Sequence, residues 1–123
     1  MANTTTDATP TAIYSQIADG STYTDYARIP NNSAAMFKVF LTAHRTDVVG
    51  ENDGWEFTGI VSRDANAAST AIDALQINPM GLTSWNVSLA ADTTNGGIGI
   101  TVTGEAGKTI KWVAMCQIFR CAS

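Results

Sequence analysis

A chain with a single histidine has few routes to acid–base chemistry. His44 follows an apolar run and precedes Arg45, and with Asp47 and one of the many serines it would supply the base, orienting group and nucleophile of a hydrolase. No Gly-x-Ser-x-Gly elbow is present to hold such a serine, so His44 reads as a strand-end or interface histidine. The neighbouring acids Asp47, Glu51 and Asp53 offer oxygen ligands, but their spacing matches no calcium loop and a solvated loop is the better reading. Glu51, Asp53 and Glu56 are the one close set of carboxylates; glycoside hydrolysis needs two that converge across a cleft, which proximity in sequence does not supply. One histidine and two cysteines make no zinc spacing. Cys116 and Cys121 are an odd number of positions apart on one extended run, so they point to opposite faces and are expected as free thiols.

The glycine-rich segments Asn95-Gly96-Gly97 and Gly104-Glu105-Ala106-Gly107-Lys108 fail as phosphate loops, because neither leads into a helix start. Trp55, Trp85 and Trp112 suggest a sugar-stacking platform, yet each is in phase with aliphatic neighbours on its own strand and reads as core. No catalytic, cofactor-binding or metal site is therefore expected, and the chain is not expected to be an enzyme.

The elements that carry these residues are read from periodicity. Trp85, Val87 and Leu89 alternate with polar residues, as do Ile98, Ile100 and Val102. The last run is apolar on both faces, with Ile110, Trp112, Ala114, Cys116 and Ile118 on one and Val113, Met115 and Phe119 on the other. Asn95-Gly96-Gly97 and Gly104 with Gly107 accept positive φ, so both connections are expected to be hairpins. Earlier, residues 34–44 form a strand with Phe37, Val39, Leu41 and Ala43 on one face and a mixed opposite face, and residues 55–62 place Trp55, Phe57 and Val61 together. Residues 13–30 read as two short polar edge strands around an Asp19-Gly20 turn. Residues 64–75 admit an alanine-rich helix capped by Asp64 or a turn followed by a strand from Ser69 to Ile77; the β character of every neighbour favours the strand.

Short strands at roughly 10-residue spacing define an all-β fold, an antiparallel β-sandwich of jelly-roll type. Its single domain spans residues 13–123. Residues 1–12 have no periodicity and little to bury, and are expected to form an extended arm held by contacts outside the core.

Only 15% of the 123 residues are charged, against 45% hydrophobic. Either much of the surface is covered in the working state, or Ser, Thr and Asn replace Lys and Glu, as is common in small β proteins. The net charge is −4 and the seven basic residues are scattered, which disfavours nucleic acid and anionic membranes as partners. No apolar run is long enough to span a membrane, and the polar start lacks the pattern of a secretory signal.

The run from Trp85 to Ala114, with Ala91-Asp-Thr-Thr-Asn-Gly96 and Thr103-Gly-Glu-Ala-Gly-Lys-Thr-Ile-Lys-Trp-Val-Ala114 as its specific parts, resembles the C-terminal β-rich domains of bacteriophage tail-fibre and virion-surface proteins. Trp55 to Arg63 resembles the strand found upstream in such domains. The resemblance implies a virion protein made in the host cytoplasm, and knobs of that kind are threefold. Expected partners are thus other copies of the chain in a homotrimer, through Val113, Met115 and Phe119, and phage coat protein, through Asn3, Thr4, Thr5, Thr6 and Thr9 of the arm. A capsid decoration or cement protein is the leading reading. The alternative is a tail-fibre knob that binds a host surface receptor, against which stands the lack of any shaft in the twelve Thr-rich residues of the arm. On the cement reading, deleting residues 2–11 is expected to leave the fold intact.

Overall fold

Alternation of β-branched or aromatic residues with polar ones underlies the long strands, six of seven residues or more among the described residues, and the computed structural model shows how they pair. It describes the backbone of residues 2–13, 16–17, 27–81 and 83–122, and the side chains of residues 3–12, 29–81 and 83–120. The larger sheet contains β1 (Ala2–Thr5), β3 (Gln16–Ile17), β5 (Ser33–Arg45), β6 (Asn52–Arg63), β7 (Ala71–Pro79) and β10 (Ile110–Ala122). The smaller holds β2 (Thr11–Ile13), β4 (Ala27–Arg28), β8 (Asn86–Asp92) and β9 (Gly97–Thr103). The result is the expected β-sandwich.

Strands β5, β6 and β7 follow one another as antiparallel neighbours, and β10 returns to lie beside β5. That order is a Greek key whose long connection contains the β8–β9 hairpin of the other sheet. A jelly roll carries two Greek keys, and the described strands form only this one. Residues 64–70 turn through a single 3-10 turn at Ala67–Ser69, where Asn66 caps Ser69 N–H at 3.1 Å, and β7 follows. The strand reading of this stretch is correct. Asn66 and Ser69 close the turn with their own side chains, leaving the alanines no apolar face on which a helix could pack.

Two expectations fail. The segment from Gly104 to Lys108 is not a hairpin: β9 lies in the smaller sheet and β10 in the larger, so the chain crosses between layers here. Gly107 supplies the positive φ of 77°. Gly104 is needed for a different reason, since a Cβ there would sit 2.5 Å from the Thr5 hydroxyl and 3.1 Å from the Asp7 carbonyl.

The N-terminal arm is likewise part of the fold. β1 pairs antiparallel with residues 110–113, and β2 pairs with residues 100–102. β3 then pairs parallel with Met115 and Cys116, and β4 with Ile98 and Gly97. Because β5 and β8 occupy the other edges of β10 and β9, these four short strands alternate between the two open edges and seal one side of the sandwich. Their order comes from backbone bonding to strand edges inside the molecule, so removing residues 2–11 strips the larger sheet of β1 and the smaller of the first residue of β2. The pairing of β1 inside the sheet stands against an intact fold after that deletion. The expected Asp19-Gly20 turn lies outside the described residues.

The core is formed by Phe37, Val39, Leu41, Phe57, Val61, Ile110, Trp112 and Ala114 of the larger sheet against Val87, Leu89, Ile98, Ile100 and Val102 of the smaller. Burial of each large side chain contributes about 1.5–3 kcal/mol. Trp112 is at the centre, stacked on Trp55 at 5.7 Å and meeting Trp85 edge-on at 6.1 Å. All three tryptophans are buried, as the core reading required. The alternation of β10 also gives its two faces distinct fates. Ile110, Trp112, Ala114 and Cys116 are buried, whereas Val113, Met115 and Phe119 are exposed.

Candidate functional site

Two regions gather functional side chains: one end of the sandwich, and the outer face of the larger sheet. At the end, Arg45 makes a two-pronged contact with Asp47, Nε to Oδ1 at 2.8 Å and a terminal nitrogen to Oδ2 at 3.1 Å. Arg45 also reaches Glu51 at 3.3 Å, and Lys108 Nζ lies 2.9 Å from Glu51 Oε2 and 2.6 Å from Glu105 Oε2. Ser84 Oγ donates to Glu105 Oε1 at 2.9 Å. The paired guanidinium holds the Asp47 carboxyl down at about 2, and Lys108 lowers that of Glu105. This chain of alternating charge joins the loops of both sheets beside a cleft of about 340 Å3 lined in part by Trp85, Thr83 and Asn52.

The carboxylates singled out in the sequence do not converge. Asp47 and Glu51 are tied into the end cluster, while Glu56 points from the outer face and pairs with Lys38 at 3.1 Å. Asp53 is no solvated loop residue: it is buried, accepts from Gly54 N–H at 2.8 Å and is bonded by the Thr83 hydroxyl. His44 is exposed at the strand end with Nδ1 on the Asn52 amide oxygen, and no serine faces it in a hydrogen bond among the described residues. No three side chains of metal-binding type cluster among the described residues.

The outer face of the larger sheet is built by the strand register. Phe119 lies opposite Met36, Met36 opposite Ile60 and Ile60 opposite Ala74, which makes one apolar row across β10, β5, β6 and β7. Phe119 is 65% exposed and Met36 55%. Gln117, Lys38, Thr58 and Gln76 form the next row, and Met115, Phe40, Glu56 and Asn78 the one after it. Val113 follows on β10, opposite Thr42. Apart from Ile60, the large apolar side chains occupy the β10 and β5 lanes, in a strip about 10 Å wide and about 20 Å long by strand geometry. The β6 and β7 lanes are polar.

The expected trio Val113, Met115 and Phe119 is thus found together at the surface, joined by Met36 and Phe40 from the mixed face of residues 34–44 and by Ile60, to which the sequence assigned no face. Of the expected arm contacts, Thr4, Thr6 and Thr9 are exposed and Asn3 half-buried, but Thr5 is not available. It is 4% exposed and accepts the Trp112 indole N–H at 2.9 Å, because β1 turns that position toward the core. No helix among the described residues is long and apolar enough to cross a membrane. No protein-family model and no curated protein matches the chain. Fold and surface together define a β-sandwich with an exposed apolar strip on its larger sheet.

Proposed function

We propose that this chain is a non-enzymatic structural protein of a phage virion, a decoration or cement protein that assembles as a homotrimer and binds the coat shell. The observation that carries this reading is the apolar strip on β10 and β5. Large exposed apolar side chains gathered on one face, here on either side of the Gln117–Lys38 row, mark a protein–protein contact. A threefold axis beside β10 would take up the β10 and β5 lanes of each copy, Gln117 and Lys38 among them, and leave the β6 and β7 lanes in water. A face-to-face pair would instead cover all four lanes and bury Glu56, Thr58, Gln76 and Asn78, at a cost in lost hydration. Within the N-terminal segment, exposed Thr4, Thr6 and Thr9, with Asn3, remain the side chains offered to the coat.

Light scattering on the purified protein at micromolar concentration tests the assembly, with a trimer expected. Phe119→Asp should give a monomer of unchanged circular dichroism, because the aspartate would be buried unpaired at the contact. A native monomer would remove the support from this reading. Co-sedimentation with capsids stripped of the protein tests the location. A second reading, a receptor-binding knob, draws on the resemblance of the Trp85–Ala114 run to tail-fibre domains; binding to host cells without binding to capsids would establish it.

A further inference from the structure

Among the described residues, the polar half of the outer face gathers several side chains with unused hydrogen-bonding capacity. Glu56, Thr58, Gln76, Ile77 and Asn78 line a shallow groove of about 510 Å3 along β6 and β7. The cleft at the end of the sandwich is a poorer candidate, because its polar groups already bond to one another: Glu51 to Arg45 and Lys108, Glu105 to Lys108 and Ser84, and Thr83 to Asp53. In the β6–β7 groove, by contrast, Thr58, Gln76 and Asn78 make no side-chain hydrogen bond to any described residue, and Glu56 has only its ion pair with Lys38.

We infer that this groove binds a neutral hexose unit of a glycan. Cross-strand pairing sets Gln76 beside Thr58 and Asn78 beside Glu56. The four side chains therefore stand at the corners of a rectangle about 5 Å by about 7 Å, from strand spacing and the two-residue repeat. A pyranose ring with its hydroxyls has that footprint. Two carboxamides, a hydroxyl and a carboxylate offer both donors and acceptors, which suits sugar hydroxyls that are each both. The charge of Glu56 is balanced by Lys38, which favours a neutral ligand over an anion or a cation. A peptide strand added to the β7 edge is disfavoured, because the register shift at Ile60/Val61 leaves Asp73 outside the ladder and Pro79 ends the strand.

The inference is independent of the trimer, which would display three such grooves on its outside and multiply a weak affinity by avidity. Two-dimensional 15N–1H NMR of the protein, titrated separately with D-glucose, D-galactose, D-mannose and N-acetyl-D-glucosamine at millimolar concentrations, tests it. Saturable shifts confined to residues 56–58 and 76–78 are expected with at least one sugar. The doubly substituted Gln76→Ala/Asn78→Ala protein should bind that sugar at least about tenfold more weakly, through loss of two or more hydrogen bonds, with an unchanged melting temperature. The Phe119→Asp protein should retain the shifts whatever its assembly state, which separates this test from that of the trimer. Absence of saturable shifts with all four sugars, or undiminished binding by the double variant, would overturn the inference.

Discussion

The indole N–H of Trp112 donates to the hydroxyl of Thr5 at 2.9 Å, joining residues 107 positions apart inside the core. It is the side-chain counterpart of the β1–β10 ladder, and it fixes the N-terminal segment to the most buried tryptophan of the molecule. Thr5→Val keeps the shape and removes the acceptor, leaving a buried N–H unpaired. The variant should lose about 1–3 kcal/mol in urea unfolding. Thr4→Val, at an exposed position of the same strand, should cost little.

The end cluster contributes to the loss of stability in acid. Asp47, hydrogen-bonded by Arg45, titrates at about 2 against an ordinary value of 3.8, and Glu105 is also depressed, chiefly by Lys108. A carboxyl lowered in the folded state adds stability that is present above the unfolded value and lost as the pH falls through the folded one. Melting temperature should therefore drop between about pH 4 and about pH 2. Asp47→Asn should flatten that part of the curve. Retention of the full acid slope in the variant would show that other carboxylates carry it.

Burial in the core pushes the Cys116 thiol up to about 12. In a Cys121→Ser background the native protein should resist thiol reagents near neutral pH and take up one label once denatured. Stability from this group is present below its unfolded value near 9.0 and is lost as the pH rises from there toward 12.

Gly59 faces the core on β6, where an added Cβ would collide with the Ala74 carbonyl oxygen and come within 2.7 Å of the Phe37 ring. Gly59→Ala should cost about 1–3 kcal/mol through overpacking. At Gly50 nothing lies within 4 Å of the added atom, but the positive φ of 107° strains any side chain there. Gly50→Ala should thus destabilise by backbone conformation alone, and comparison of the two by chemical denaturation separates the causes.

Period two alone revealed which faces of β5, β6, β8, β9 and β10 are buried, because a strand's own alternation records its exposure. Apolar residues on the second face of β10 likewise announced the exposed Val113, Met115 and Phe119. What pairing creates was not legible. Glycines at 104 and 107 signal a turn but not whether it leads back into the same sheet or across to the other. Thr5 looks like its threonine neighbours until β10 supplies an edge and Trp112 a donor. Met36, Phe40 and Ile60 become one patch with β10 only through register. Gln76 and Asn78 carry no sequence signal, since polar side chains are what an exposed edge strand ordinarily shows.

The alternation of the first four strands between the two sheets also dictates an order of events during synthesis. Residues 2–28 leave the ribosome early, but their partners on β9 and β10 are among the last segments made. Throughout elongation the N-terminal segment has no edge to join, while the nascent β5–β6–β7 meander already holds apolar faces that await a second layer. The closing contacts are all of long sequence separation, which places this chain among slow, topology-limited folders. Until β9 and β10 are made the meander keeps its apolar faces uncovered, and the seam sealed by β1 to β4 is the last to close.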